Sequence, residues 1–431
     1  MAAINIAYVG GGSTRAPGTV AAYILQGEAF AGSTITLIDP NEEGLELTRR
    51  IAQRMAHKRG VDMCLCTTTD LATGLTDADA VLSSFRPGGF EARYLDESIP
   101  LKHGVIGQET QGPGGFFMAL RSIKVIKELT ELMTKVAPNA ILYNYTNPVN
   151  IVAQAVSLYT DVPVVSLCEG PIVFPEELAA GAGLEPKKIN ATMMGLNHAC
   201  WSVDATYDGQ DAIAVLEREL ERMLNENSDD RETIRRLEMA VTLGSIPASY
   251  MKYYYYRDEI LNELQSKPTT RAQDIMAEVP DYLAHYREQA DSDNPTLEPE
   301  RARGGIFELE LAVDVMDSVY NDKGEVWTLN VPNRGALMGM PDERVVEVPC
   351  LVTRDAVTPL ASGALPRAVR GLVGALGEYQ DLTARAAWEE DKRLALQALA
   401  SNPLVPSLPV AKKLYEEMAQ AHAPYLADGL R

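Results

Sequence analysis

I-N-I-A-Y-V-G-G-G-S, residues 4–13, is the stretch that decides the fold. Its apolar run predicts a buried β-strand, and the three glycines that follow predict a tight turn. From about Pro17 the apolar residues take up helical spacing. A strand, a glycine turn and a helix in this order are typical of a site where backbone N–H groups at a helix N-terminus bind a pyrophosphate.

The second predicted strand, Thr34 to Ile38, ends in a carboxylate. Asp39 stands where dinucleotide-binding proteins place the acidic residue that binds the ribose hydroxyls of an adenosine. The carboxylate favours NAD over NADP because it would repel a 2′-phosphate. Arg15, which replaces the third glycine of the usual G-x-G-x-x-G pattern, keeps NADP open. The residues predicted to bind the dinucleotide are Gly10, Gly11, Gly12, Ser13 and Asp39.

Three further strands are predicted in the first 165 residues, with helix-like segments between them, which is typical of a parallel sheet. They are Ala80 to Phe85, Ala140 to Tyr145 and Pro163 to Leu167. Helices are predicted over residues 122–136, 212–239 and 366–400. We therefore predict an α/β protein. Its N-terminal domain is a Rossmann-like, doubly wound parallel sheet similar to that of lactate and malate dehydrogenases, and a larger α+β C-terminal domain follows.

The composition restricts the class of partner. Among 431 residues, 39 Lys and Arg face 60 Asp and Glu, a net charge of −21, which argues against nucleic acid and anionic membranes. No apolar run reaches the ~18 residues of a membrane span. The five cysteines form no C-x-x-C pair, and the N-terminus carries no basic leader. We expect a cytoplasmic, reduced protein with a small-molecule substrate.

Four polar clusters lie in predicted loops, and three of them directly follow strands. Each alone is more often a solvated turn, but the carboxyl ends of parallel strands meet at one edge of the sheet, where this fold binds ligands. Arg86 and Arg93 flank a flexible turn and could meet an anion. Glu109, in a glycine-rich loop, is a candidate proton donor, and Asn147 could hydrogen-bond a hydroxyl.

Cys168 and His198 also follow predicted strands, in V-V-S-L-C-E-G-P and G-L-N-H. Each alone is more often structural. As a pair, thiolate and imidazole suit a borderline divalent metal such as Mn²⁺, Fe²⁺, Co²⁺, Ni²⁺ or Zn²⁺. Two protein ligands leave positions open for substrate oxygens, as a Lewis acid requires.

Taken together, these motifs resemble glycoside hydrolase family 4, the NAD- and metal-dependent glycosidases. The resemblance runs from Gly10 to about Val348 and is closest in wording to the 6-phospho-β-glucosidase branch. It is most specific in I-P-L-K-H-G-V-I-G-Q-E-T-Q-G-P-G-G-F, G-L-N-H, I-P-A-S-Y-M-K-Y-Y-Y and N-V-P-N-R-G-A.

The resemblance assigns a role to each matching residue. It implies that Cys168 and His198 hold the metal, with Mn²⁺ as first choice, and that Tyr250 is the catalytic base. Tyr254 is the second candidate for the base. The residues expected at the substrate are Arg86, Arg93, Asn147, Glu169, Asn197 and Arg303.

The resemblance also implies a reaction. The sugar is oxidised at C3 with NAD⁺, loses its C2 proton, eliminates the aglycone from C1, takes up water and is reduced again. Elimination through C2 serves α- and β-glycosides alike, so both linkages stay open. Residues 1–165 are expected to bind NAD, and residues 166–431 to bind substrate and metal and to form a homodimer or homotetramer.

Glu169 departs from the phosphoglucosidase branch, which typically has C-N-I-P or C-N-V-P where this chain has C-E-G-P. A carboxylate there could accept hydrogen bonds from sugar hydroxyls or act as an acid. It would repel a phosphate by about 1 kcal/mol or more at ~4 Å. A 6-phosphate on the substrate therefore stays open, with Arg86, Arg93 and Arg303 available to meet it.

The alternative function is a lactate/malate-type 2-hydroxy-acid dehydrogenase, whose N-P-V segment resembles T-N-P-V at residues 146–149. That enzyme needs an Asp-paired catalytic histidine and no metal. A non-catalytic NAD-binding redox sensor is a more distant option. Net NADH release with a hydroxy acid would support the dehydrogenase, and aglycone release without net NADH the glycosidase.

Overall fold

A computed structural model describes residues 2–298, 301 and 310–431. Its strands are β1 (Asn5–Val9), β2 (Ser33–Ile38), β3 (Met63–Thr68), β4 (Ala80–Ser83), β5 (Ile141–Asn144), β6 (Val164–Ser166), β7 (Ile189–Leu196), β8 (Ala199–Tyr207), β9 (Gln210–Asp211), β10 (Glu325–Pro332), β11 (Val345–Val352) and β12 (Val357–Pro359).

The helices alternate with the strands in the first half and dominate the second. They are α1 (Ala16–Leu25), α2 (Glu42–Arg59), α3 (Leu71–Leu75), α4 (Gly89–Lys102), α5 (Gly112–Val136), α6 (Val149–Tyr159), α7 (Gly170–Gly181), α8 (Ala212–Asn225), α9 (Arg231–Leu243), α10 (Lys252–Tyr255), α11 (Arg257–Ser266), α12 (Arg271–Asp291), α13 (Glu310–Tyr320), α14 (Arg367–Glu389), α15 (Lys392–Ser401) and α16 (Leu408–Ala421).

The first six strands are all parallel and lie in the order β3-β2-β1-β4-β5-β6. This is the doubly wound order, whose direction of winding changes between β1 and β4 and opens a ligand crevice at the carboxyl ends of those strands. The predicted α/β fold with an N-terminal Rossmann-like sheet is confirmed. Strand β3 was not predicted. It is an edge strand with few apolar residues, and its Cys64 and Cys66 are exposed.

The sheet does not stop at the predicted domain boundary. Residue 165 lies inside β6, and β10 pairs antiparallel with β6 through Asn330 and Ser166. Beyond β10 the order continues β11-β7-β8-β9, with Glu347 opposite Gly195 where β11 meets β7. One continuous sheet therefore joins the two halves, with β10 and β11 lying between β6 and β7.

The helix boundaries differ from prediction at two places. Helix α5 begins ten residues before the predicted Ser122, at Gly112 with Pro113 in its first turn, where proline is well tolerated. The predicted helix over 212–239 is two helices, because Asp230 starts a new one: its carboxylate accepts from Thr233 N at 3.0 Å.

A buried ion cluster fastens the C-terminal segment to the N-terminal half. Arg121 donates to both carboxylate oxygens of Asp96, at 2.9 and 2.6 Å, and His422 Nε2 lies 3.0 Å from the same carboxylate. All three side chains are fully buried. Arg121 also donates to the carbonyl of Pro87 at 3.3 Å, which fixes the loop that carries Arg86.

Among the residues described, no helix combines the length and the apolar character that crossing a bilayer requires.

Candidate active site

A cavity of about 730 Å³ opens at the carboxyl ends of β1, β2 and β4. Its lining includes Gly10, Gly12, Ser13, Asp39, Asn41, Thr69 and Leu71, and also Arg86, Glu109, Tyr145 and Asn147. Four of the five predicted dinucleotide residues thus share one cavity. Gly11 does not line it, because it packs against β2, where an added Cβ would lie 2.7 Å from the Cβ of Leu37.

The glycine turn has no room for side chains at Gly10 and Gly12. Gly10 has φ +104°, and a Cβ at that position would lie 2.1 Å from the carbonyl oxygen of Ser84. A Cβ at Gly12 would lie 2.8 Å from the carbonyl oxygen of Asn41. The missing side chains let the turn pack closely against the backbone of Ser84 and Asn41.

Asp39 is held in place by backbone groups. Its Oδ1 accepts from the N–H of Asn41 at 2.9 Å, and the N–H of Gly12 also faces the carboxylate. Burial raises the pKa of Asp39, and these two N–H groups oppose that rise. The carboxylate faces the cavity and fits the hydroxyl groups of a ribose.

Cys168 and His198 come together at the junction of β6, β7 and β8. Cys168 follows β6, and His198, with φ +62°, occupies the tight turn between β7 and β8. The Sγ of Cys168 lies 3.8 Å from the Nε2 of His198. Bonds of about 2.1 Å to nitrogen and 2.3 Å to sulfur would let one ion reach both atoms up to a separation of about 4.4 Å. The pair therefore fits a single metal ion without rearrangement.

The protonation states of Cys168 and His198 are compatible with binding of a metal ion. Burial lowers the pKa of His198 to about 4, although Glu109 opposes the shift, so the imidazole is neutral at pH 7. Burial, together with the charges of Glu347 and Glu169, raises the pKa of Cys168, so the free thiol keeps its proton until a cation displaces it. Within the described residues no third His, Cys, Asp or Glu completes a metal-binding group, which leaves coordination positions open.

Tyr250 lies directly on the imidazole of His198. Its ring stacks on the imidazole of His198, with centroids 3.8 Å apart and planes at 12°. Burial raises the pKa of Tyr250, and the charges of Cys168 and Glu109 add to the rise. Tyr254, the second candidate for the base, instead donates its hydroxyl to Gln111 Oε1 at 2.8 Å. The geometry favours Tyr250 over Tyr254.

Glu109 is not placed as a proton donor. Its carboxylate pairs with Arg86 at 2.5 Å and with Arg93 at 3.1 Å. Burial acts to raise the pKa of Glu109, but the two guanidinium groups outweigh it and lower the pKa to about 2. An ionised carboxylate has no proton to give, so the expected role of Glu109 does not fit this arrangement. The two arginines likewise meet a carboxylate of this chain rather than standing free for an anion.

Replacing Glu109 with Gln is expected to cost roughly 3 kcal/mol of unfolding free energy at pH 7, because a carboxyl whose pKa falls from 4.5 to about 2 on folding contributes about 1.4 kcal/mol per unit. The contribution is fully present above pH 4.5 and is lost as the pH falls towards 2. Urea unfolding at pH 7 and pH 3.5 measures the difference, with the exposed Glu416→Gln as control. An equal difference at both pH values would rule out this ion pairing.

Asn147 and Glu169 are two of the residues expected at the substrate. Asn147 lines the cavity, and its buried Oδ1 meets no hydrogen-bond donor among the described residues. An amide oxygen in this state suits a hydroxyl supplied by a ligand. Glu169, the residue before α7, accepts a hydrogen bond at 2.7 Å from the hydroxyl of Tyr145, which lines the cavity.

The side-chain amide of Asn197 is hydrogen-bonded within the protein. Its Nδ2 donates to Glu347 Oε1 at 3.0 Å, and Asn330 donates to the same oxygen at 3.1 Å. The amide of Asn197 also faces Cys168 and lowers the pKa of its thiol. The amide nitrogen of Asn197 is therefore bonded to a carboxyl of this chain, beside Cys168, and its contact with substrate stays a prediction. Arg303 lies outside the described residues.

Two residues of the site were not predicted. Thr110 Oγ1 lies 3.0 Å from His198 Nδ1, and Glu347 is a fully buried carboxyl next to Asn197. A clue existed for each: Thr110 follows Glu109 in the glycine-rich loop, and Glu347 is a lone acidic residue in the apolar run V-V-E-V-P-C.

Comparison with known proteins places the chain in a family. Residues 5–184 match the family described as Family 4 glycosyl hydrolase, and residues 193–405 match the Family 4 glycosyl hydrolase C-terminal domain. A probable 6-phospho-beta-glucosidase of Bacillus subtilis (strain 168) is 36% identical over 436 residues, 98% of this chain and 97% of that protein. A 6-phospho-alpha-glucosidase of Leptotrichia buccalis is 30% identical over 439 residues, 99% of each protein.

Solved structures agree with the sequence matches. The 6-phospho-beta glucosidase from Thermotoga maritima, solved with manganese, NAD+ and glucose-6-phosphate, superposes with a TM-score of 0.84 at 28% identity and covers 98% of this chain and 99% of its own. A lactate dehydrogenase of Cryptosporidium parvum shares the fold alone, with a TM-score of 0.55 at 14% identity over 90% of this chain and 98% of its own. Because the two matched segments span most of its length, the chain belongs to family 4 of the glycosyl hydrolases.

Proposed function

We propose that this chain is an NAD- and Mn²⁺-dependent 6-phospho-glucosidase that cleaves by oxidation, elimination and re-reduction. The observation that carries the proposal is the pairing of Cys168 with His198, 3.8 Å apart, with the ring of Tyr250 stacked on the imidazole of His198. The related enzymes named above supply the substrate class, and the glycine turn with Asp39 supplies the cofactor class.

The chain's own residues would hold both groups. Gly10, Gly12, Ser13 and Asp39 would bind NAD⁺, and Cys168 and His198 would bind the metal. NAD⁺ supplies reversible hydride acceptance at a sugar carbon, and a divalent ion supplies polarisation of the neighbouring hydroxyl groups. The sugar would lie where Asn147 lines the cavity, with the Oδ1 of Asn147 accepting a hydrogen bond from one of its hydroxyls.

Tyr250 would move the proton. Its phenolic oxygen would take the C2 hydrogen of the oxidised sugar, in which the adjacent ketone acidifies that hydrogen. Since burial raises the pKa of Tyr250, the phenolate forms only when positive charge stands beside it. Because Tyr250 stacks on His198, a metal ion bound to His198 would place positive charge near the phenol.

The proposal that the substrate carries a 6-phosphate is supported by the relatives and not by a preformed cation site. Arg86 lines the cavity, but its charge is matched by Glu109. Relatives named for both α- and β-linked substrates are similar along nearly the whole chain, and the β-linked one has the higher identity. We propose an aryl 6-phospho-β-glucoside as the first substrate. A homo-oligomer and a cytoplasmic location stay predictions.

A substrate screen tests the proposed function. Aryl α- and β-glucosides, each with and without a 6-phosphate, are incubated with NAD⁺, Mn²⁺ and a thiol reductant. Release of the aglycone without net NADH is the expected result. Net NADH formation from a 2-hydroxy acid, with no aglycone release from any glycoside, would overturn the proposal.

Glu169→Asn is expected to raise kcat/KM for the 6-phosphorylated substrate about fivefold relative to its non-phosphorylated counterpart. Removal of a charge that repels a phosphate by about 1 kcal/mol at ~4 Å predicts that ratio. Glu176→Gln is the control. Glu176 lies in α7, and its carboxylate accepts a hydrogen bond from Lys187. If the ratio of the two substrates is unchanged in Glu169→Asn, Glu169 does not face the phosphate.

A further inference from the structure

The loop G-Q-E-T-Q at residues 107–111 contains a hydrogen-bond network that ends on a proposed metal ligand. Thr110 Oγ1 lies 3.0 Å from the Nδ1 of His198, and both residues are buried. A hydroxyl can donate or accept, and so can a neutral imidazole nitrogen. The direction of this one bond decides which nitrogen of His198 keeps a free lone pair.

The other partners of the hydroxyl settle that direction. Gln108 Oε1 accepts from the backbone N–H of Thr110 at 2.7 Å and from that of Gln111 at 2.8 Å, which identifies this atom as the amide oxygen. The same oxygen lies 3.0 Å from Thr110 Oγ1. An amide oxygen only accepts, so the single hydroxyl proton of Thr110 points to Gln108.

Gln111 closes the network from the other side. Its Oε1 accepts the hydroxyl of Tyr254 at 2.8 Å, so its Nε2 is the atom that lies 3.4 Å from Thr110 Oγ1. With its proton committed to Gln108, Thr110 can only accept from His198. The hydrogen of the neutral imidazole therefore resides on Nδ1, and the lone pair of Nε2 faces the Sγ of Cys168 at 3.8 Å.

We propose that Thr110, held by Gln108, is a positioning residue that fixes His198 in the tautomer whose Nε2 is free to bind the metal. The proposal rests on the proposed function, since it concerns the metal that Cys168 and His198 would hold. A hydrogen-bonded partner on the far nitrogen is the usual device for orienting a metal-binding histidine, and its loss typically weakens metal binding 10- to 100-fold, as a rough range.

Thr110→Val tests the proposal, because valine keeps the shape of threonine and lacks the hydroxyl. Thr110→Ser restores the hydroxyl. Thr130→Val is the matched control: Thr130 is also buried, and its hydroxyl donates to a helix carbonyl, that of Ile126, at 2.9 Å. Mn²⁺ affinity is measured by electron paramagnetic resonance in the presence of NAD⁺, and the tautomer of His198 is measured from its ¹⁵N chemical shifts in the metal-free protein.

The expected result is protonation of Nδ1 in the wild type and at least about tenfold weaker Mn²⁺ binding by Thr110→Val, with Thr110→Ser and Thr130→Val close to wild type. Thermal unfolding and NAD⁺ binding confirm that each variant is folded. Wild-type Mn²⁺ affinity in Thr110→Val, or a proton on Nε2 in the wild type, would overturn the inference. Failure of the wild type to bind Mn²⁺ at all would overturn the proposed function instead, because the tautomer measurement does not depend on metal.

Discussion

Replacing Cys168 with Ser, or His198 with Ala, is expected to lower kcat/KM for the glycoside by about 10³-fold or more. Loss of a metal that stabilises developing charge by several kcal/mol predicts a reduction of that size. NAD⁺ affinity should be nearly unchanged, since the glycine turn and Asp39 line a cavity that neither Cys168 nor His198 lines. Each variant should therefore lose metal binding and turnover and keep NAD⁺ binding.

The measurement combines aglycone release, Mn²⁺ content and NAD⁺ titration on each purified variant. Cys350→Ser serves as control, because Cys350 is a buried thiol on β11 whose Sγ bonds only the carbonyl of Val348 among the described residues. Wild-type turnover by either ligand variant after chelation of the metal would show that the assignment of Cys168 and His198 is wrong.

Tyr250→Phe is expected to reduce kcat by about 10²- to 10⁴-fold, the usual contribution of a positioned general base. Phenylalanine keeps the ring that stacks on His198 and removes only the oxygen that would take the C2 proton. Binding of Mn²⁺ and NAD⁺ should therefore persist. In the wild type kcat should rise with pH as Tyr250 loses its proton, and that limb should be absent from the variant's residual activity.

Tyr254→Phe is the comparison that separates the two candidate bases. Its hydroxyl bonds Gln111 on the far side of Thr110, so we expect a change of only a few fold in kcat. Steady-state kinetics with a deuterated C2 position complete the test. If Tyr254→Phe loses activity while Tyr250→Phe keeps it, the assignment of the base is reversed.

Local patterns explain why much of the fold was predictable. The strand of residues 4–9, the glycine turn and Asp39 each depend on neighbours in the chain, and their roles follow from residue type. Cys168 and His198 could be paired because both follow strands, and strand ends of one sheet meet at one edge. The lactate/malate dehydrogenase alternative arose from the same fold, and membership of the glycosyl hydrolase family overturns it as a function.

The parts that could not be predicted depend on contacts between distant residues. Whether Glu109 carries a proton is decided by Arg86 and Arg93, and no local pattern predicts that both arginines turn towards it. Asn197 meets a carboxyl 150 residues away, on β11, because the two halves share one sheet. A boundary at residue 165 was plausible because β6 completes the parallel order, but β10 pairs with it directly.

The central claim is that cleavage passes through loss and return of the C2 hydrogen. The direct test is to hydrolyse 4-nitrophenyl 6-phospho-β-glucoside in D₂O with NAD⁺ and Mn²⁺, and to examine the product for deuterium at C2 by NMR. The product sugar phosphate incubated alone with the enzyme controls for later exchange. The account predicts deuterium at C2 in the newly formed product. Full turnover to a product that keeps its original hydrogen at C2 would contradict it.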